Sequence, residues 1–86
     1  MDKRILQLRK EIDNLDEEII RLLKKRMRFS KEVGKLKEIL DIPVEDKMRE
    51  KEIIDRLNTY AGKSLSEEQL IRIFTAVFRS SKQVQE

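Results

Sequence analysis

From Lys3 to Leu40 apolar side chains recur in alternating steps of three and four. Ile5, Leu8, Ile12, Leu15, Ile19, Leu22, Phe29, Val33, Leu36 and Leu40 keep one register, and Arg26 stands where one further apolar residue falls due. A stripe of this period predicts a single long amphipathic helix, about residues 3–40. The segment DIPVED, residues 41–46, ends it, because Pro43 disfavours helical geometry at Ile42 and Asp46 suits the cap of whatever follows. A second helix, about 46–61, sets Ile53, Leu57 and Tyr60 on one side and meets Gly62 as its C-terminal cap. SEEQ, residues 66–69, has the spacing of a capping box and opens a third helix, about 66–85, that carries Leu70, Phe74 and Val77 inward. The predicted fold class is all-α, with three helices in one domain spanning 1–86.

The first helix is too long for the molecule. About 38 residues at ~1.5 Å each extend roughly 57 Å, whereas a compact chain of this size has a diameter of roughly 30 Å. Two shorter helices cannot cover such a stripe, and the half left bare calls for a second copy of the chain. An intertwined helical homodimer is therefore expected, the more so because 86 residues lie near the lower size limit for a self-sufficient core.

Composition narrows the chemistry. Without cysteine or histidine, disulfides, thiol nucleophiles, Ser-His-Asp triads and histidine zinc sites are excluded, leaving Lys, Arg, Asp, Glu, Ser and amide groups. The net charge is +3, but the 20 basic residues are interspersed with 17 acidic ones. That dilution, with a first helix far too long for a helix-turn-helix, argues against nucleic acid as a partner. No long apolar run and no cleavable leader is recognised, so a cytoplasmic protein with no membrane association is expected.

Polar residues break the apolar pattern in all three helices. Lys37 falls about 20° from Arg26 on the same face, roughly 16 Å further along. Asp46 and Glu50 lie in line with Ile53 and Leu57, with Arg49 beside them, while Ser81 and Gln85 continue the Leu70, Phe74, Val77 stripe. Each has a structural reading: a register-setting arginine, a lysine that snorkels to solvent, an aspartate cap. Together they point to a small anion bound among the helices, since burying several charges without a partner costs several kcal/mol per ion. Arg9, on the flank of the stripe, lies about 42 Å along the axis from Lys37, so the two meet only between chains of an antiparallel dimer. A surface pair with Asp13 is its alternative.

These residues resemble the all-helical (type II) class of chorismate mutases. The likeness runs through LRKEIDNLDEEIIRLLKKR in the first helix, VGKLK near its end, DKMRE opening the second and SSKQVQ closing the third. It implies that chorismate is rearranged to prephenate, in phenylalanine and tyrosine biosynthesis, with no metal and no cofactor. It further implies that Arg26 and Lys37 bind the substrate's carboxylates, helped by Ser81 and by Arg9 of the second subunit. Glu50 and the backbone near Asp46 would hold the ring hydroxyl, with Arg49 alongside. Lys37 and Gln85 would donate hydrogen bonds to the ether oxygen. An isochorismate-pyruvate lyase of the same fold and a non-catalytic helical dimerisation module are the alternatives. Glu50 directly after Arg49, and the full-length DIPVEDK loop, favour the mutase over the lyase.

Overall fold

The computed structural model describes residues Met1–Glu86 as three helices without strands: α1 (Lys3–Ile39), α2 (Lys47–Ala61) and α3 (Glu67–Gln85). The molecule measures 56 × 24 × 16 Å, and its radius of gyration of 16.4 Å exceeds the roughly 12 Å of a compact chain this long. The elongation is that of α1 alone. No helix is long and apolar enough to cross a membrane.

Local chemistry explains where each helix begins and ends. Asp2 caps α1 by accepting from the Arg4 backbone N–H at 2.7 Å. At the other end Ile42 N–H reaches the Lys37 carbonyl at 2.8 Å and Asp41 N–H the Glu38 carbonyl at 3.3 Å. That pair of bonds is a Schellman closure, with Asp41 in the left-handed region (φ 55°) where glycine is commoner and Pro43 just beyond it. Asp46 caps α2 through its carboxylate, which accepts from the Arg49 N–H at 3.0 Å. Ser66 and Gln69 form the complete capping box of α3, side chain to backbone in both directions at 3.1 and 2.9 Å.

α3 packs on α1, and α2 packs on α3, but α1 and α2 do not pack on one another. Ile53, Leu70 and Phe78 form the small buried core. Phe74 and Phe78 meet with ring centroids 5.9 Å apart. Tyr60 does not join them. It is 89 % exposed, because α2 has only α3 to pack against and a single narrow strip around Ile53 and Leu57 is covered.

The face of α1 that meets α3 is not the apolar stripe. It carries Leu23, Met27, Ser30 and Gly34, each one residue after a stripe position and hence about 100° round the helix. The stripe itself lies open from end to end, with Leu8 63 % and Leu22 54 % exposed. The single chain thus leaves bare the whole stripe, where the sequence pattern alone led us to expect half.

Candidate active site

Where the last turns of α1, the connection to α2, the first turn of α2 and the end of α3 converge, they enclose a cleft of about 270 Å³. Arg26, Lys37, Asp46, Arg49, Glu50, Ser81 and Gln85 all line it. Arg9 does not: it is exposed near the far end of α1, its guanidinium beside the Met1 sulfur.

Helix geometry delivers these side chains. Arg26 and Lys37 stand at the boundary between the bare stripe and the α3-facing side, so both reach the seam where α3 lies. Asp46 and Glu50 come from the cap and first turn of α2, and Ser81 and Gln85 are one helical turn apart on α3. The Arg26 guanidinium donates to the Ser81 hydroxyl and sits 6.0 Å from the centroid of the Phe78 ring. Neither contact supplies a counter-charge. Burial above all, and then the positive charge of Arg49, push the Arg26 pKa down from the ordinary arginine value. Both are costs of a cation held without its anion, and both would be relieved by a bound carboxylate.

Lys37 is likewise free of any ion pair. Its ammonium donates to the Val44 carbonyl at 2.9 Å, which clasps the α1–α2 connection while leaving two further N–H donors. Gln85 carries a buried Oε1 with no hydrogen-bond partner. A half-turn of its amide puts Nε2, a donor, in that place. Glu50 has one carboxylate oxygen, Oε2, 3.3 Å from the Lys82 ammonium. The cleft therefore offers two unpaired cations, an unpartnered amide and a carboxylate within one small volume, an arrangement suited to an organic anion that also carries a hydroxyl.

Other features were not anticipated from the sequence. Phe78 and Lys82 join the lining, Lys82 paired with Glu50, and behind the cleft Gly34 sets the distance between α1 and α3. A Cβ placed on Gly34 would stand 2.7 Å from the Gln85 Cα and 2.8 Å from its Cβ, closer than side chains pack. The absent side chain lets α3 lie against α1 at the level of Gln85. Gly34→Ala removes a mid-helix glycine that costs about 1 kcal/mol in propensity, yet it must push the end of α3 outward. We expect this variant to stay helical while kcat/KM falls about tenfold or more, read by circular dichroism alongside the rate. Full activity with a raised Tm would mean that the close approach is dispensable.

Comparison with known proteins bears on this geometry. The sequence model of the family described as chorismate mutase type II matches residues 8–86. The chain is 33 % identical to a chorismate mutase of Methanocaldococcus jannaschii over 86 residues, covering 99 % of this chain and 87 % of that one. It is 40 % identical to a bifunctional chorismate mutase/prephenate dehydratase of Aquifex aeolicus over 76 residues, which is 83 % of this chain but only 21 % of the larger protein. Among solved structures it resembles a chorismate mutase from Helicobacter pylori in complex with prephenate. There the TM-score is 0.90 and the identity 36 %, over 98 % of this chain and 91 % of the other.

Proposed function

The chain belongs to the type II chorismate mutase family, and from that premise we propose that its cleft isomerises chorismate to prephenate. The observation that carries the proposal is the convergence of Arg26, Lys37 and Gln85, three donor side chains without anionic partners, on one cleft. The substrate is a dianion whose ring bears a hydroxyl and whose side chain is joined through an ether oxygen. Its conversion is a concerted Claisen rearrangement: the ether C–O bond breaks as a C–C bond forms, with no proton transferred and no nucleophile required.

A protein accelerates such a step in two ways. It selects the compact conformer in which the bond-forming carbons face each other, and it stabilises charge as that charge separates. In our reading Arg26 and Lys37 grip the two carboxylates, with Ser81 aligning the guanidinium, whose planar fork matches a carboxylate in two-point contact. Glu50 accepts from the ring hydroxyl, next to the backbone at Asp46 and with Arg49 alongside. Lys37 and Gln85 donate to the ether oxygen as negative charge grows there.

The proposed assembly is an antiparallel homodimer in which Arg9 of the second copy completes each site. Its support is the bare stripe of α1, too large an apolar surface for a stable monomer to leave in water. Phe29 and Val33 belong both to that stripe and to the cleft lining, so a second chain laid on the stripe would also roof the cleft. Residues 1–86 would form a single mutase domain of this assembly.

The direct test follows the loss of chorismate absorbance and the appearance of prephenate, in buffer containing chelator. Turnover by the purified chain is expected. No turnover, or turnover that chelator abolishes and Mg²⁺ restores, would refute the mechanism.

Gln85 provides a sharper probe. As a neutral amide it donates at any ordinary pH, whereas a carboxyl group donates only while protonated, with an ordinary glutamate pKa of about 4.3. The Gln85→Glu variant should thus be active below the pKa of the new carboxyl and lose activity as pH rises through it. Its kcat optimum should move toward acid relative to the parent, and an unaltered profile would remove Gln85 from the ether oxygen.

A further inference from the structure

Lys82 follows Ser81 on α3 and lines the cleft, yet the roles proposed above leave it without one. Its ammonium lies 3.3 Å from Glu50 Oε2 and 3.3 Å from Glu45 Oε1, so one side chain joins α3, the α1–α2 connection and the first turn of α2. Lys82 and Glu50 are both largely covered, with side chains 29 % and 28 % exposed, while Glu45 is 55 % exposed. The geometry points to Lys82 as a positioning residue that holds and neutralises Glu50, so that its free carboxylate oxygen can take a substrate hydroxyl beside two carboxylates of like charge. This inference rests on the reading of the cleft as a chorismate site.

Three observations lead there. Glu50 pairs with the ammonium through Oε2, so the pair presents Oε1 as one oriented acceptor and not a freely rotating carboxylate. A dianionic substrate meets two acidic side chains in the lining, Asp46 and Glu50. Asp46 is occupied as the cap of α2, which leaves Glu50 as the acid whose charge must be offset locally. Finally, α2 has no packing contact with α1, so beyond the Lys37 clasp on the Val44 carbonyl the placement of Glu50 relative to Arg26 depends on α3, and Lys82 is a polar tie between α3 and the start of α2. The Lys82 pKa is raised, by Glu50 first and Glu45 second, which keeps the ammonium charged throughout the neutral range.

A purely mechanical tie and a charge-positioning role differ in what they predict. Lys82→Met keeps most of the length of the side chain and removes the charge. We expect it to raise KM for chorismate about tenfold with kcat changed by less than about threefold, because repulsion of the dianion acts on substrate and transition state alike. Lys82→Arg restores the charge and should recover most of the loss. The decisive arm is the cycle with Glu50→Gln: once the carboxylate is gone, Lys82→Met should alter kcat/KM by less than about twofold. Glu45→Gln, at the exposed arm of the bridge, should leave KM within about twofold of the parent.

An unchanged KM in Lys82→Met, a full additive loss in the Glu50→Gln background, failure of arginine to rescue, or an equal loss in Glu45→Gln would each overturn the assignment. All of these comparisons are made against an active parent. An inactive parent refutes the chorismate reading itself, so the two failures are told apart.

Discussion

Lys37→Ala should lower kcat/KM by about a hundredfold or more, with the greater part of the loss in kcat. In the proposed mechanism the ammonium has two roles: in the ground state it holds a carboxylate, and as the ether bond breaks it faces charge that did not exist before. Only the second accelerates the reaction, since interactions equal in substrate and transition state leave kcat unaltered. The comparison is with removal of one preorganised donor from an oxyanion hole, which costs roughly 10²- to 10³-fold, or about 2.7–4 kcal/mol. A competing role is visible in the protein itself, where the same ammonium clasps the Val44 carbonyl at 2.9 Å. If the clasp were the whole purpose of Lys37, the variant would lose Tm and keep kcat. Near-normal turnover in a folded variant would therefore identify Lys37 as a structural latch and leave the ether oxygen to Gln85 alone.

What the sequence disclosed and what it hid divide along a physical line. The length of α1 was legible because a stripe of large aliphatic residues declares its period. Arg26 was legible for the same reason, as the one misfit in that period. Glu50, Ser81 and Gln85 could be found because each continues an apolar stripe with a polar group, Lys37 because it shares a face with Arg26, and the fold brings them to one cleft. The contact between α1 and α3 was hidden. It is made through Leu23, Met27, Ser30 and Gly34, a face with one large aliphatic residue among small or adaptable groups and hence no periodicity of large residues to betray it, about 100° from the stripe. Lys82 was hidden because a lysine on an exposed helix end looks like any other in a chain where 43 % of residues are charged. Only its approach to Glu45 and Glu50, 37 and 32 positions away in the chain, gives it meaning. Tyr60 failed the other way, for helical spacing says which residues share a face and not whether a neighbour exists to cover it.

Mixing two inactive variants should restore roughly a quarter of the parent activity if Arg9 serves the opposite chain. Arg9 lies outside the cleft of its own chain, near the far end of a helix within a molecule 56 Å long. It can reach a site only when a second copy is laid antiparallel along the exposed stripe. Arg9→Ala and Lys37→Ala are prepared separately, each shown to be nearly inactive, then unfolded and refolded together in equal amounts. In a mixed dimer one site draws Lys37 from the first variant and Arg9 from the second, and is whole; the other lacks both. Random pairing makes about half the dimers mixed, with one good site in two, which gives the quarter. If Arg9 acted within its own chain, each site would still lack one residue and nothing would be regained. A tag on one variant and pull-down of the other confirms that mixed dimers formed. Mixed dimers without recovered activity would refute the shared site while leaving the three-helix fold intact, whereas a monomer at micromolar concentration would refute the dimer itself. The stripe from Ile5 to Leu40 makes that second outcome physically costly: full burial of a large apolar side chain is worth ~1.5–3 kcal/mol, the stripe residues are each about half exposed, and the sum forgone is more than a chain of this size can spare.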